Sequence, residues 1–231
     1  MQIAGRSLKY WIGRATLDML GWEVEGAAPT TPRYVIIAAP HTTNWDLPVT
    51  LGVAWVLGID ACWAGKHTLF EGRFGWFFRA LGGVAIDRRA KLDQVQQLVQ
   101  MFQQRESMVL VIAPEGTRGS TSYWKSGFYW VARGAQVPIA LGYLDYGRKR
   151  GGVGDAFVPG ENLEADVERI RAFYSTVRGK YPDRFTNIRF RPEGERGERE
   201  RAKEYARASI APDESAPPKR RWGLLPAWGK K

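Results

Sequence analysis

The chain has 231 residues, 44% of them hydrophobic and 25% charged, with a formal net charge of +10. That is enough apolar sequence for a folded domain and excludes a disordered chain, and the positive balance implies an anionic partner: nucleic acid, a lipid surface or a phosphorylated substrate. A single cysteine, Cys62, excludes an internal disulfide, and with only two histidines no zinc ligand set is available, so no metal and no bound cofactor is expected.

Residues 5–21 have the period of an amphipathic helix. Leu8, Trp11, Ile12, Ala15 and Met19 recur at helical spacing, with Arg6, Lys9, Arg14 and Asp18 elsewhere. Such a helix can pack on a domain or lie in a membrane interface. A Pro- and Thr-containing linker, residues 27–32, leads into Tyr34-Val35-Ile36-Ile37-Ala38-Ala39, a buried strand. Pro40-His41-Thr42-Thr43-Asn44-Trp45-Asp46 follows, then an apolar helix starting near Leu47 with Asp46 as its N-cap. On a continuous helix His41 and Asp46 would point apart, so they meet only if the segment between them turns. A carboxylate on one ring nitrogen would orient the imidazole, and the other nitrogen could then take a hydroxyl proton. The spacing alone also fits, and favours, a turn-capping histidine beside a helix cap.

Residues 61–65 read as a strand ended by Lys66 and His67, with His67 a surface neighbour rather than a second base. Residues 74–81 read as a short aromatic helix or turn that could floor an apolar groove. Residues 84–86 are a strand ending at Asp87-Arg88-Arg89, and Leu92, Val95, Leu98, Val99 and Phe102 mark a helix. Met108-Val109-Leu110-Val111-Ile112-Ala113 is a continuous apolar run, the pattern of a strand covered on both faces. Glu115-Gly116-Thr117-Arg118 follows it. A helix over residues 126–134, a strand over 137–143 and a helix over 162–178 complete the domain. The glycine-rich basic stretch 147–154 lacks the ending of a phosphate-binding loop and reads as a mobile basic hairpin loop. Residues 191–208 are dense in Arg and Glu, and the end, from Lys219, is basic and aromatic. The expected organisation is an N-terminal helix and linker over 1–30, one domain over 31–190 and a charged tail over 191–231. The fold class is α/β, a central and mostly parallel sheet flanked by helices. In such a sheet His41, Arg88 and residues 115–118, each placed just after a strand, share one edge.

His41-x-x-x-x-Asp46, Gly83-Val84-Ala85-Ile86-Asp87-Arg88, Glu115-Gly116-Thr117-Arg118 and Val137-Pro138-Ile139 occur in that order. With them, residues 34–145 resemble the glycerophospholipid acyltransferase family, whose best-known members acylate 1-acylglycerol-3-phosphate to phosphatidic acid. Ala85 stands where the family commonly has Phe, and Gly119 where Ser is frequent. The resemblance implies His41 and Asp46 as the catalytic pair, Lys66 facing the acceptor phosphate and Glu115 positioning the acceptor glycerol. Arg88 and Arg118 offer the forked donors that phosphate needs, Gly116 close backbone approach and Thr117 a hydroxyl. The donor would be an acyl thioester on coenzyme A or an acyl carrier protein. No serine sits in a nucleophile elbow and Cys62 falls mid-strand, so direct attack by the acceptor hydroxyl is the simpler route. Another lyso-lipid, such as a lyso-aminolipid, is an alternative acceptor. A non-catalytic anionic-lipid-binding protein is the alternative of a different class. No nucleic-acid motif is present, so nucleic acid is not expected as a partner. No segment reaches the ~20 apolar residues that span a bilayer, so the protein is expected in the cytoplasm, peripheral on an anionic membrane surface.

Overall fold

The apolar runs become strands whose side chains alternate between two cores. In the computed structural model, which describes residues 7–86, 94–185 and 188–190, the elements follow in the order α1 (Leu8–Leu20), β1 (Glu23–Gly26), β2 (Arg33–Ala39), α2 (Asp46–Val56), β3 (Ala61–Lys66), α3 (Thr68–Glu71), α4 (Gly75–Ala80), β4 (Gly83–Ile86), α5 (Gln94–Gln104), β5 (Met108–Ile112), α6 (Gly127–Ala135), β6 (Ile139–Asp145), β7 (Arg150–Phe157) and α7 (Leu163–Tyr174). The strands form one seven-stranded sheet in the order β1-β7-β6-β2-β5-β3-β4. β6, β2, β5, β3 and β4 are mutually parallel; β7 runs antiparallel to β6, and β1 parallel to β7. The expected α/β class and mostly parallel sheet are therefore found.

Val35 and Ile37 of β2, Leu110 of β5 and Ile139 and Leu141 of β6 face α5, α6 and α7, where Phe102, Trp124, Tyr129, Trp130 and Tyr174 fill the larger core. Tyr34, Ile36, Val109 and Ala140 point the other way, against Ala54 and Ile59 at the end of α2. This period-2 alternation fixes the register, because a slip of one residue would exchange the two faces. Trp22, Trp124 and Trp130 are buried in the cores, whereas Trp11, Trp45 and Trp76 are exposed, so the tryptophans divide between packing and surface.

Two differences from the sequence expectation concern the same sheet edge. The basic stretch 147–154 read as a loop runs into β7 and forms its first part, and Glu23–Gly26, in the stretch read as N-terminal helix and linker, is β1. The two strands pair closely enough that a Cβ on Gly152 would lie 2.0 Å from the Glu25 carbonyl oxygen. Glycine is therefore required there, and the glycine content that suggests a loop is what admits the neighbouring strand.

Helix α1 is amphipathic, but its packed face is a narrow one. Gly13 and Leu17 are buried against α2, and Gly13 and Gly52 let the two helices approach so closely that a Cβ on Gly13 would lie 2.8 Å from the Gly52 carbonyl oxygen. Leu8 (76% exposed), Trp11, Ile12 and Met19 (80% exposed) stay on the outside. Among the described residues no helix is long and apolar enough to cross a membrane. The charged tail expected over 191–231 lies outside the described residues.

Candidate active site

Three parallel strands at the centre of the sheet, β6, β2 and β5, deliver the site from their carboxyl ends. The chain leaves β2 through a cis Ala39–Pro40 bond and turns at residues 43–45, the turn that His41 and Asp46 needed. His41 Nδ1 lies 3.0 Å from Asp46 Oδ2. The same oxygen accepts from the backbone N–H groups of Thr42 (2.9 Å) and Thr43 (3.0 Å), and Oδ1 accepts from the Tyr146 hydroxyl at 2.7 Å. Asp46 is not the N-cap the sequence suggested. It is the first residue of α2, Trp45 precedes it, and its carboxylate reaches back over the turn. At 3% exposure a carboxyl group needs such donors to offset the cost of its burial.

Glu115, three residues beyond the end of β5 and one past the buried Pro114, comes up from the other side. Its Oε1 accepts the backbone N–H of His41 at 2.9 Å, tying the two strand ends together. Burial pushes the Glu115 carboxyl up from 4.5 to about 7, opposed by the His41 hydrogen bond. Its second oxygen is buried and has no hydrogen-bond partner among the described residues, consistent with a carboxyl that holds its proton. In front of these residues opens a groove of about 910 Å³, with His41, Asp46, Glu115 and Lys125 among its polar lining and Leu47, Trp63, Val95, Leu98, Val111 and Phe128 among its apolar lining. Behind His41, α2 and the sheet enclose only about 50 Å³, room for about one water-sized group.

Residues 22–140, just over half of the chain, match the family model described as Acyltransferase. The chain belongs to the acyltransferase family. It is 29% identical over 146 residues to the 1-acyl-sn-glycerol-3-phosphate acyltransferase of Streptococcus pneumoniae (strain ATCC BAA-255 / R6), a match covering 59% of this chain and 54% of that protein. The chain therefore spans about half the length of that curated relative. Its fold is similar to the crystal structure of PlsC from Thermotoga maritima, the 1-acyl-sn-glycerophosphate (LPA) acyltransferase, with a TM-score of 0.53, 18% identity and coverage of 71% of this chain and 74% of that one. The resemblance carried by the four motifs is the family found.

In this member of the family the expected site residues have distinct placements. His41, Asp46 and Glu115 are brought together. Gly116 follows in a left-handed turn, φ +63°, where glycine is favoured, and a Cβ on it would lie 2.5 Å from Lys125 Nζ. Thr117 and Arg118 are exposed, and the Thr117 hydroxyl accepts from Gly119 N–H within its own turn. Lys66 is the last residue of β3, paired with Ile86 of β4. Arg88 lies outside the described residues. His67 sits ahead of α3 and is not part of the groove. The aromatic stretch 74–81 does not line the groove; Val95 and Leu98 of α5 and Phe128 and Val131 of α6 do. Burial pushes the Cys62 thiol up to about 11, so it is a poor nucleophile at neutral pH.

Two residues were missed from sequence. Lys125 brings a cation to the groove, and its backbone N–H donates to the Pro114 carbonyl at 2.8 Å, which holds it beside Glu115 and Gly116. Tyr146 touches the Asp46 carboxylate itself. It follows β6, so the rule that gathers His41 and Glu115 at the carboxyl ends of strands reaches it too, once the strand is extended to Asp145.

Proposed function

We propose that the protein transfers a fatty acyl group from a thioester, on coenzyme A or an acyl carrier protein, to the free hydroxyl of a lysophospholipid, with 1-acylglycerol-3-phosphate as acceptor and phosphatidic acid as product. The observation that carries the reading is the contact between His41 Nδ1 and the buried, fourfold hydrogen-bonded Asp46 carboxylate. It commits one ring nitrogen and leaves Nε2 to act on a hydroxyl at the groove. Nε2 takes the hydroxyl proton, the oxygen attacks the thioester carbonyl, and collapse of the adduct breaks the C–S bond. The leaving sulfur recovers the proton from the imidazolium, giving ester and free thiol. The family membership and the name of the Streptococcus relative support this acceptor, and the apolar part of the groove suits an acyl tail. Incubation with labelled acyl thioester and a panel of lysophosphatidate, other lysophospholipids and lyso-aminolipids tests it. Preferred acylation of lysophosphatidate is expected; a faster lyso-aminolipid would move the acceptor, and no transfer to any member would remove the reading.

The acceptor phosphate is assigned to Arg118 and Lys125, at or beside residues 115–118, with Thr117 adding a hydroxyl; the family resemblance adds Lys66, and Arg88 is the further forked donor that the sequence offers. A hydrogen bond to a charged group is worth about 1.5–3 kcal/mol. Arg118→Ala and Lys125→Ala are each expected to raise the acceptor KM roughly ten- to hundredfold, with the thioester KM little changed. Steady-state kinetics in both substrates check this, and a rise confined to the thioester KM would move these residues to the donor site.

The acyl tails of the substrates favour catalysis at an anionic membrane surface, with the protein attached peripherally. The outward face of α1 supports this reading through Leu8, Trp11, Ile12 and Met19, flanked by Lys9 and Arg14. Burial of one large apolar side chain is worth about 1.5–3 kcal/mol, so Trp11→Ser is expected to weaken binding to anionic vesicles about tenfold or more. Added salt weakens it too, because exposed charges are screened. Vesicle co-sedimentation checks both, with a version ending at Pro218 to test the basic tail. Absence of binding by the full chain at low salt would overturn the surface reading.

A further inference from the structure

We propose that Tyr146 is a positioning residue of the His41–Asp46 pair, its phenol O–H locking one carboxylate oxygen so that the other stays aimed at the imidazole. The assignment rests on His41 acting as the base. Asp46 Oδ2 carries three donors, Thr42 N–H, Thr43 N–H and His41 Nδ1. A carboxylate held only on that side can still rock about its terminal torsion, which is broad. The 2.7 Å bond from Tyr146 to Oδ1 blocks this rotation, because turning the carboxylate would break it.

Tyr146 is itself held from two further directions, by the Trp22 ring and by the Arg178 carbonyl, and Trp22 is held in turn. The Tyr146 ring stands edge-on to Trp22, with centroids 4.8 Å apart and planes at 88°, an arrangement favourable for aromatic pairs. Lys149 Nζ lies 5.4 Å from the centre of the Trp22 ring. Tyr146 N–H donates to the Arg178 carbonyl at 2.8 Å, which fixes the backbone of the β6–β7 turn. Trp22 N–H in turn donates to Leu17 O at the end of α1, also at 2.8 Å. Trp22, Tyr146 and Arg178 all fall outside residues 34–145, where the four motifs lie, so the brace is supplied by the flanking parts of the chain. Burial, with the Asp46 carboxylate adjacent, holds the phenol's pKa well above its ordinary value, and Tyr146 therefore remains a donor wherever the enzyme works. A tyrosine that only filled space here would be replaceable by phenylalanine without consequence for His41.

Tyr146→Phe in the full chain tests this, since the ring and its Trp22 contact are kept. Tyr143→Phe is the control: that hydroxyl donates to Glu25, 2.7 Å away, and does not touch Asp46. In protein labelled with ¹⁵N-histidine, the His41 Nδ1–H resonance, distinguished from His67 through His67→Gln, is expected to shift or broaden in Tyr146→Phe and not in Tyr143→Phe. The kcat for acyl transfer is expected to fall roughly tenfold or more, the weight of one hydrogen bond to a charged group, with both KM values within about twofold. An unchanged His41 resonance together with an unchanged kcat would overturn the proposal, as would a change in KM alone. If the wild type acylates no acceptor, the acyltransferase reading fails separately, and the resonance alone decides whether Tyr146 positions the pair.

Discussion

His41→Ala is expected to lower kcat for acyl transfer by about 10²–10⁴-fold, the usual contribution of a positioned general base, while leaving the fold in place. The side chain is 29% exposed and sits on a turn outside the hydrophobic cores. Its removal leaves Asp46 with Thr42 N–H, Thr43 N–H and the Tyr146 hydroxyl, so no buried charge is orphaned. Asp46→Asn is expected to lose less, for a reason specific to this site. The two backbone N–H groups converge on Oδ2, so they select the orientation that puts the asparagine oxygen there. That oxygen still accepts from His41 Nδ1–H, and the amide nitrogen falls opposite the Tyr146 oxygen, which can accept from it. The tautomer survives and only the stabilisation of the imidazolium by a full negative charge is lost. Steady-state kinetics of both variants, with thermal unfolding as the control for folding, check the order. Thioester turnover by His41→Ala within a few fold of wild type would remove the mechanism, and full activity in Asp46→Asn would reduce Asp46 to a structural role.

The second large effect is on stability, through Glu115. Its folded pKa of about 7 lies above its ordinary value of 4.5, so between those values the folded state holds the proton that the unfolded chain has released. The stabilisation is fully present below about 4.5 and is lost as pH rises through about 7. The difference is on the order of 3 kcal/mol. Glu115→Gln cannot titrate, and its amide oxygen can keep the hydrogen bond from His41 N–H. Wild type is therefore expected to lose stability against this variant from pH 5 to about pH 8, when the two are compared by urea unfolding at constant ionic strength. Parallel pH profiles for the two proteins would show that Glu115 is ionised in the fold at its ordinary value. This prediction is independent of any substrate.

The parts of the fold that could be read from sequence are those where one local signal dominates. β2 and β5 are β-branched runs covered on both faces, and the Pro40–Asp46 stretch between β2 and α2 carries its turn residues openly. β7 and β1 were not legible, because what makes them strands is each other. β7 has Gly151, Gly152 and Gly154, the composition of a loop, and β1 is a four-residue edge strand with two glutamates. Only in the sheet does Glu25 meet Arg150 and Tyr143, and only there does Gly152 have a backbone pressed against it. The candidate site divides in the same way. His41, Asp46 and Glu115 announce themselves by spacing after strands. Lys125 and Tyr146 are ordinary residues of a loop and a turn until the sheet brings Pro114 and Asp46 to them. The assignment of Asp46 as a helix cap failed because an aspartate before an apolar helix has two uses, and sequence cannot say which way its carboxylate points.

The close packing of Gly13 on Gly52 decides how attachment and chemistry can be dissected. Asp46 opens α2, and Gly52 lies six residues further on, about 9 Å along the helix axis. The back of the helix that carries the Asp46 carboxylate is thus the seat of α1. Cutting away α1 to test a surface anchor would bare Leu17's pocket, take Trp22's support from Tyr146 and disturb the active site in the same stroke. A truncation that abolished both vesicle binding and acyl transfer would say nothing about whether one depends on the other. Single changes at the outward Leu8, Trp11, Ile12 and Met19, which leave Gly13 and Leu17 seated, separate the two questions.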